Sequence, residues 1–71
     1  MKPILTEREM NVLYYLAQGF KNEEISQELH ISIHTTKAHL EAIYEKFKVQ
    51  NRVQAAIKAI QLGLVDIEAV V

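Results

Sequence analysis

His30, His34 and His39 lie close together in a chain without cysteine, so the first chemistry to weigh is metal binding or acid–base work by imidazole. His30 and His34 are spaced i,i+4, as two metal ligands on one helix face would be. The residues between them, Ile31 to Ile33, mark a break between two helical runs, which takes the pair off any common face. There is also no thiol nucleophile and no glycine-rich phosphate loop. An enzyme, a cofactor site and a metal site all lack their inventory, and none is expected. Hydrogen bonding is the chemistry left to the polar residues here. His34, Lys37, Glu41, Glu45 and Lys48, with Ala38 among them, fall on one arc of one helix at a period of 3.6.

Presenting that arc requires a helix whose other side is apolar, and Thr36, Leu40, Ile43 and Phe47 supply that side. Ser32 is its expected N-cap, and the spacing predicts a helix over about 33–48. Ahead of it, a two-turn helix over about 22–29 turns Ile25 and Leu29 inward. Asn22 is its expected cap, and Glu23 and Glu24 lie in a first turn where the helix dipole favours negative charge. His30-Ile31-Ser32 forms the tight corner, and the apolar Ile31 predicts that the corner is packed. A short helix, a turn and a longer helix make the outline of a helix-turn-helix.

The flanks read as support. Thr6 and Glu9 have the spacing of a capping box, so a first helix is expected over about 6–18, with Leu5 stapled against Met10. Leu13, Leu16, Ala17 and Phe20 form its inward stripe, and Gly19 suits the left-handed position that ends it. Asn51 is a cap for a fourth helix over about 51–62, stopped by Gly63. That helix carries two apolar stripes, Val53, Ile57, Ile60 and Ala55, Ala59, Leu62. One stripe can pack inward while the other meets a second copy of the chain. Small side chains permit close helix approach, so Ala55, Ala59 and Leu62 are the expected dimer face. Arg52 and Glu9 are expected to pair or cap, with one another as one option, and so to hold helix 4 on helix 1.

Composition bounds these expectations. The 71 residues amount to one domain, and a domain of this size buries only about 60% of its unfolded surface. Without disulfides, packing must hold the fold. No apolar run approaches the ~18 residues of a membrane span and no secretory pattern opens the chain, so no membrane association is expected and the cytoplasm is the expected compartment. Eight Lys and Arg against nine Asp and Glu leave a formal net charge of −1. Two of those acids, Asp66 and Glu68, belong to a loosely alternating tail from Leu64 to Val71. A strongly basic module, the usual footprint of nucleic-acid binding, is therefore absent. Any binding to an anion must rest on where the charges lie.

The pieces LTEREMNVL, LAQGFKNEEIS, LHIS, TTKAHL and NRVQA, in this order and spacing between Leu5 and about Leu64, resemble the LuxR/GerE-type DNA-binding domain. The resemblance implies an all-α fold, a four-helix helix-turn-helix bundle without a wing. It further implies a bacterial transcription regulator that puts its third helix into the major groove of double-stranded DNA and dimerises through its fourth. In that family the module is usually the output end of a longer response regulator or signal receptor, and occasionally stands alone. Apart from the resemblance, RNA polymerase is an expected protein partner.

Carried over position by position, Lys37 and Ala38 fall where the family contacts bases, and Glu41 falls at a groove-facing position that more often holds a neutral or basic residue. A lysine can donate to guanine O6 or N7, a carboxylate can accept from cytosine N4, and an alanine can touch a thymine methyl. With His34 these are the expected base contacts. Lys21, Asn22, Thr35, His39, Lys46 and Lys48 are the expected phosphate contacts, Asn22 helped by the free N–H groups at the start of helix 2. Other departures are Glu23 where Lys or Arg is common, His30 in place of the turn glycine, Thr36 in place of Val, and Ile33 in place of a polar residue. The acids Glu23, Glu41 and Glu45 also support a competing expectation, a helix-turn-helix module turned toward a protein partner, with weak or no DNA binding of its own.

Overall fold

The computed structural model describes residues 3–66; the end of the alternating tail, with Glu68, lies outside the described residues. Four helices run α1 (Glu7–Ala17), α2 (Asn22–Leu29), α3 (Ile33–Phe47) and α4 (Arg52–Gln61), with no strand among the described residues. The fold is an all-α helix-turn-helix bundle.

Three of the helices begin on a side-chain cap. The Thr6 hydroxyl accepts from the Glu9 N–H at 3.1 Å while the Glu9 carboxylate accepts from the Thr6 N–H at 2.9 Å, completing the capping box. Ser32 accepts from the Thr35 N–H at 3.0 Å, and Asn51 from the Gln54 N–H at 2.9 Å. The start of α2 differs from the expectation. Lys21 is the N-cap and Asn22 is already helical. A lysine ammonium has no lone pair to offer an N–H, so only the return half of a box exists there, the Glu24 carboxylate accepting from the Lys21 N–H at 2.7 Å.

The helix ends use left-handed residues. His30 (φ 56°, ψ 44°) closes α2, its N–H donating to the Gln27 carbonyl and that of Ile31 to the Ser26 carbonyl. Lys48 (φ 58°, ψ 45°) closes α3 with the same pair of bonds, to Glu45 and Tyr44. Both ends are Schellman motifs built without glycine, at a cost of roughly 1–2 kcal/mol each. Gly19 (φ 87°) closes α1 in the usual way; a Cβ there would meet nothing, so the conformation alone calls for glycine.

The core joins Val12, Leu13, Leu16 and Ala17 of α1 to Ile25 of α2, Leu40, Ile43 and Phe47 of α3, and Ala55 and Ala59 of α4. Helix α1 packs on α3 and α4, and α2 packs chiefly on α3. Thr36 is fully buried with them. Its hydroxyl lies 2.8 Å from that of Ser26, with the Ser32 carbonyl 3.2 Å from Thr36 Oγ1 and the Asn22 carbonyl 2.8 Å from Ser26 Oγ; two protons serve these three contacts, so one hydroxyl donates to the other and the other donates to the carbonyl on its own side. This buried hydroxyl pair ties α2 to α3 where packing by methyl groups would otherwise do it.

Two expectations are corrected here. Ala55 and Ala59 are wholly buried within this one chain and Leu62 is half-buried against the core, so this stripe is not a surface for a second copy. Bulkier Val53 and Ile57 are the residues left outside, 66% and 51% exposed; α4 packs on α1 and α3, and its fully buried residues there are the two alanines. Glu9 and Arg52 do not pair with one another. The Arg52 guanidinium donates to the Phe20 carbonyl and, at 3.4 Å, to Asn22 Oδ1, fastening α4 to the α1–α2 turn. Glu9 is buried and takes Lys46 Nζ at 2.7 Å, fastening α1 to α3.

Candidate nucleic-acid interface

Because the inward side of α3 is filled by Thr36, Leu40, Ile43 and Phe47, its other side must face solvent. His34, Lys37, Ala38, Glu41, Glu45 and Lys48 are all exposed on it, and His39 is half-buried at its edge. Ile33, at the first helical position, is 41% exposed beside His34. Thr35 is half-buried; its hydroxyl oxygen accepts from Ser32 Oγ at 2.9 Å, so its own proton stays available to an acceptor outside.

The start of α2 comes alongside this face. Asn22, Lys37, Leu40, Glu41 and Tyr44 line one shallow cleft of about 210 Å³. Asn22 thus lies on the same cleft as Lys37 and Glu41 across the helix-turn-helix corner, positioned by the Arg52 bond to its side-chain oxygen. Tyr44 is raised above its ordinary value of 10.0 by burial, opposed by the Arg52 charge, and stays a neutral hydroxyl at the cleft wall. Lys21, just before the helix, is exposed. The free N–H groups of α2 favour an anion, although the Glu24 carboxylate already answers one of them, the N–H of Lys21.

Lys46 differs from the other lysines. Its ammonium is drawn off the outer surface onto Glu9. Burial pushes the Glu9 carboxyl up, but the Lys46 hydrogen bond and charge and the Thr6 N–H outweigh it and hold the group below its ordinary value of 4.5. Lys46, expected as a phosphate contact, thus also holds a structural ion pair while its side chain stays exposed. Sequence reasoning missed this pair and also missed Lys58, which joins Lys46 and Lys48 around a second open cleft with Ile4, Phe47 and Leu62. Helical spacing carries no trace of either. A buried threonine on an apolar stripe did imply a partner for its hydroxyl, and Ser26 was the available one.

No cluster of three metal-ligating side chains occurs among the described residues, and none of their helices is long and apolar enough to cross a membrane. What the site offers is a convex helix face with donors at its start, one carboxylate at its middle and a helix N-terminus at its side.

The profile of the family described as "Bacterial regulatory proteins, luxR family" matches residues 3–59, most of the chain. The chain belongs to the luxR family. As a luxR-family helix-turn-helix domain it is a regulatory module and not an enzyme. Among solved structures, it is similar to the transcription factor GerE, with a TM-score of 0.78 and 32% identity over 84% of this chain and 90% of that one. It is also similar to the response regulator ChrA of a heme-sensing two-component system, with a TM-score of 0.85 and 38% identity over 92% of this chain and 32% of that one. Among curated relatives, the response regulator VraR of Staphylococcus aureus is 47% identical over 63 residues, 89% of this chain and 30% of that protein. VraR of Staphylococcus saprophyticus matches to the same extent. The chain thus spans about a third of the length of the response regulators it matches and nearly all of GerE.

Proposed function

We propose that this domain binds double-stranded DNA to regulate transcription, with α3 lying in the major groove. The observation that carries the reading is the exposed arc of α3 in a luxR-family fold. Lys37, Ala38, His34 and Glu41 reach base edges from it, and Lys21, Asn22, Thr35, His39 and Lys48 surround it as phosphate partners. Reading a chromosome places the domain in the cytoplasm.

The same reading takes the domain as a dimer. Val53 and Ile57 are the exposed apolar residues of α4, with half-buried Ala56 and Ile60 between and beside them. Facing a second copy across a two-fold axis, this stripe puts two α3 helices one DNA turn apart, about 34 Å, on a site of inverted symmetry. Four apolar side chains fall well short of the roughly 20–30 residues a side of a stable interface, so pairing belongs to the DNA-bound state.

A second reading is favoured by the charges alone. Glu23, Glu41 and Glu45 are exposed on or next to the same face, which suits a protein partner such as RNA polymerase. Fluorescence anisotropy with duplex DNA across a salt series separates the two. DNA binding gives a log–log slope of about −0.9 per phosphate neutralised, about −4 to −6 for a dimer with a few contacts per copy. A folded domain with no affinity at low salt and high protein concentration excludes the DNA reading and leaves the protein-partner one.

A further inference from the structure

We infer that Glu41 sets the base preference of the site, accepting a hydrogen bond from the N4 amino group of a cytosine within about two base pairs of a guanine read by Lys37. This rests on the DNA reading above and adds to it the sequence that the domain selects.

Glu41 has no structural employment. It is exposed, and the ion pair that the described residues do form, Lys46 with Glu9, lies elsewhere. Lys37 stands one turn before it and lines the same cleft, yet the two do not pair. Lysine ahead of glutamate is the weaker order for such a pair on a helix, and Glu45, one turn further on, adds a like charge. A carboxylate so placed is a cost on a DNA-facing surface unless a donor meets it.

The major groove offers a carboxylate few donors. Guanine and thymine present only acceptors among their polar groups there, and adenine sets its N6 donor beside the N7 acceptor, which repels an anion. Cytosine presents N4–H₂ without such a neighbour. Its paired guanine shows O6 and N7, both acceptors for an ammonium. Along α3 the positions of Lys37 and Glu41 are separated by about 6 Å of helix rise, against about 3.4 Å per base step. One helix turn therefore presents a donor and then an acceptor to bases no more than about two pairs apart. Ala38, exposed beside Lys37, is small enough to let the helix come that close.

The test is selection of duplexes from a random pool by the wild-type domain, E41A and E41Q, each checked for folding by circular dichroism. Wild type is expected to enrich a cytosine at one position beside a guanine and to favour it over other bases by roughly 5- to 150-fold. E41Q should move that position to adenine, whose N6 and N7 match an amide, and E41A should level it while keeping the guanine. A cytosine column retained by E41A overturns the inference, as does E41A binding every duplex more tightly by one common factor, which is the signature of simple repulsion. In both cases the DNA reading survives. Folded wild type that enriches nothing at low salt overturns both.

Discussion

The two sides of α3 are made by the same fifteen residues under opposite rules. On the inner side every group has a partner: Leu40, Ile43 and Phe47 join one core with residues of α1, α2 and α4, and the Thr36 hydroxyl meets Ser26. On the outer side Lys37 and Glu41 share a cleft without pairing, and the apolar Ile33 is left in solvent. Folding explains the first side completely and the second hardly at all. Groups whose placement folding does not reward are those available to a ligand, which makes the comparison an argument about function as well as packing.

The inner side of α3 should not tolerate loss of a side chain. Ile43→Ala should destabilise the domain by about 2–5 kcal/mol, as other buried large-to-small changes do, read by urea denaturation; in so small a domain this removes much of the stability. Lys37→Ala should do the converse, leaving the denaturation midpoint in place while weakening DNA binding by about 1–3 kcal/mol. A shift in stability without a change in affinity would erase the distinction between the two sides.

Thr36 sharpens it further, because it is a polar residue under inner-side rules. Thr36→Val keeps the volume but removes the bond between the two hydroxyls, while Ser26 keeps the Asn22 carbonyl as its acceptor, and should cost about 0.5–1.5 kcal/mol. Adding Ser26→Ala should then cost less than Ser26→Ala does in the wild type, since the bond between the two hydroxyls is already gone. A double variant whose loss equals the sum of the two single losses would show that the pair is not coupled.

From α1, Glu9 reaches Lys46 on α3 and makes stability depend on pH. Its carboxyl is held below its ordinary value of 4.5 in the fold, so the folded state binds fewer protons than the unfolded one. Its contribution is therefore present above about pH 4.5 and lost as pH falls through the lower folded value. Comparing acid unfolding of wild type and Glu9→Gln should show a shallower pH dependence for the variant in that window, an effect of about 1 kcal/mol, modest because Lys46 is partly exposed.

Much of this was legible in the residues themselves. Spacing alone separated Leu40, Ile43 and Phe47 from Lys37, Ala38 and Glu41, because a helix of 3.6 residues per turn leaves little choice of face. Thr6, Ser32, Asn51 and Gly19 announced helix ends by local hydrogen bonding or backbone freedom. His30 stood out only through the resemblance, as the residue in the place of a turn glycine, while Lys48, equally left-handed, carried no mark. The cleft between Asn22 and Glu41 escaped the sequence because two helices make it together.

What the sequence determined by itself was therefore whatever can be settled within a turn or two of chain: the four helices, the corner, and the arc of α3 that faces out. The tertiary structure decided the rest. Helix α4 carries two stripes of the same period, and only the closeness of α1 and α3 sends Ala55 and Ala59 inward and leaves Val53 and Ile57 outside. Glu9 could have answered Arg52 on chemical grounds, and it is Lys46, 37 residues away, that the packing brings to it. Periodicity fixes which side chains share a face, but which partner that face meets depends on contacts remote in the chain, and those exist only once the helices have packed.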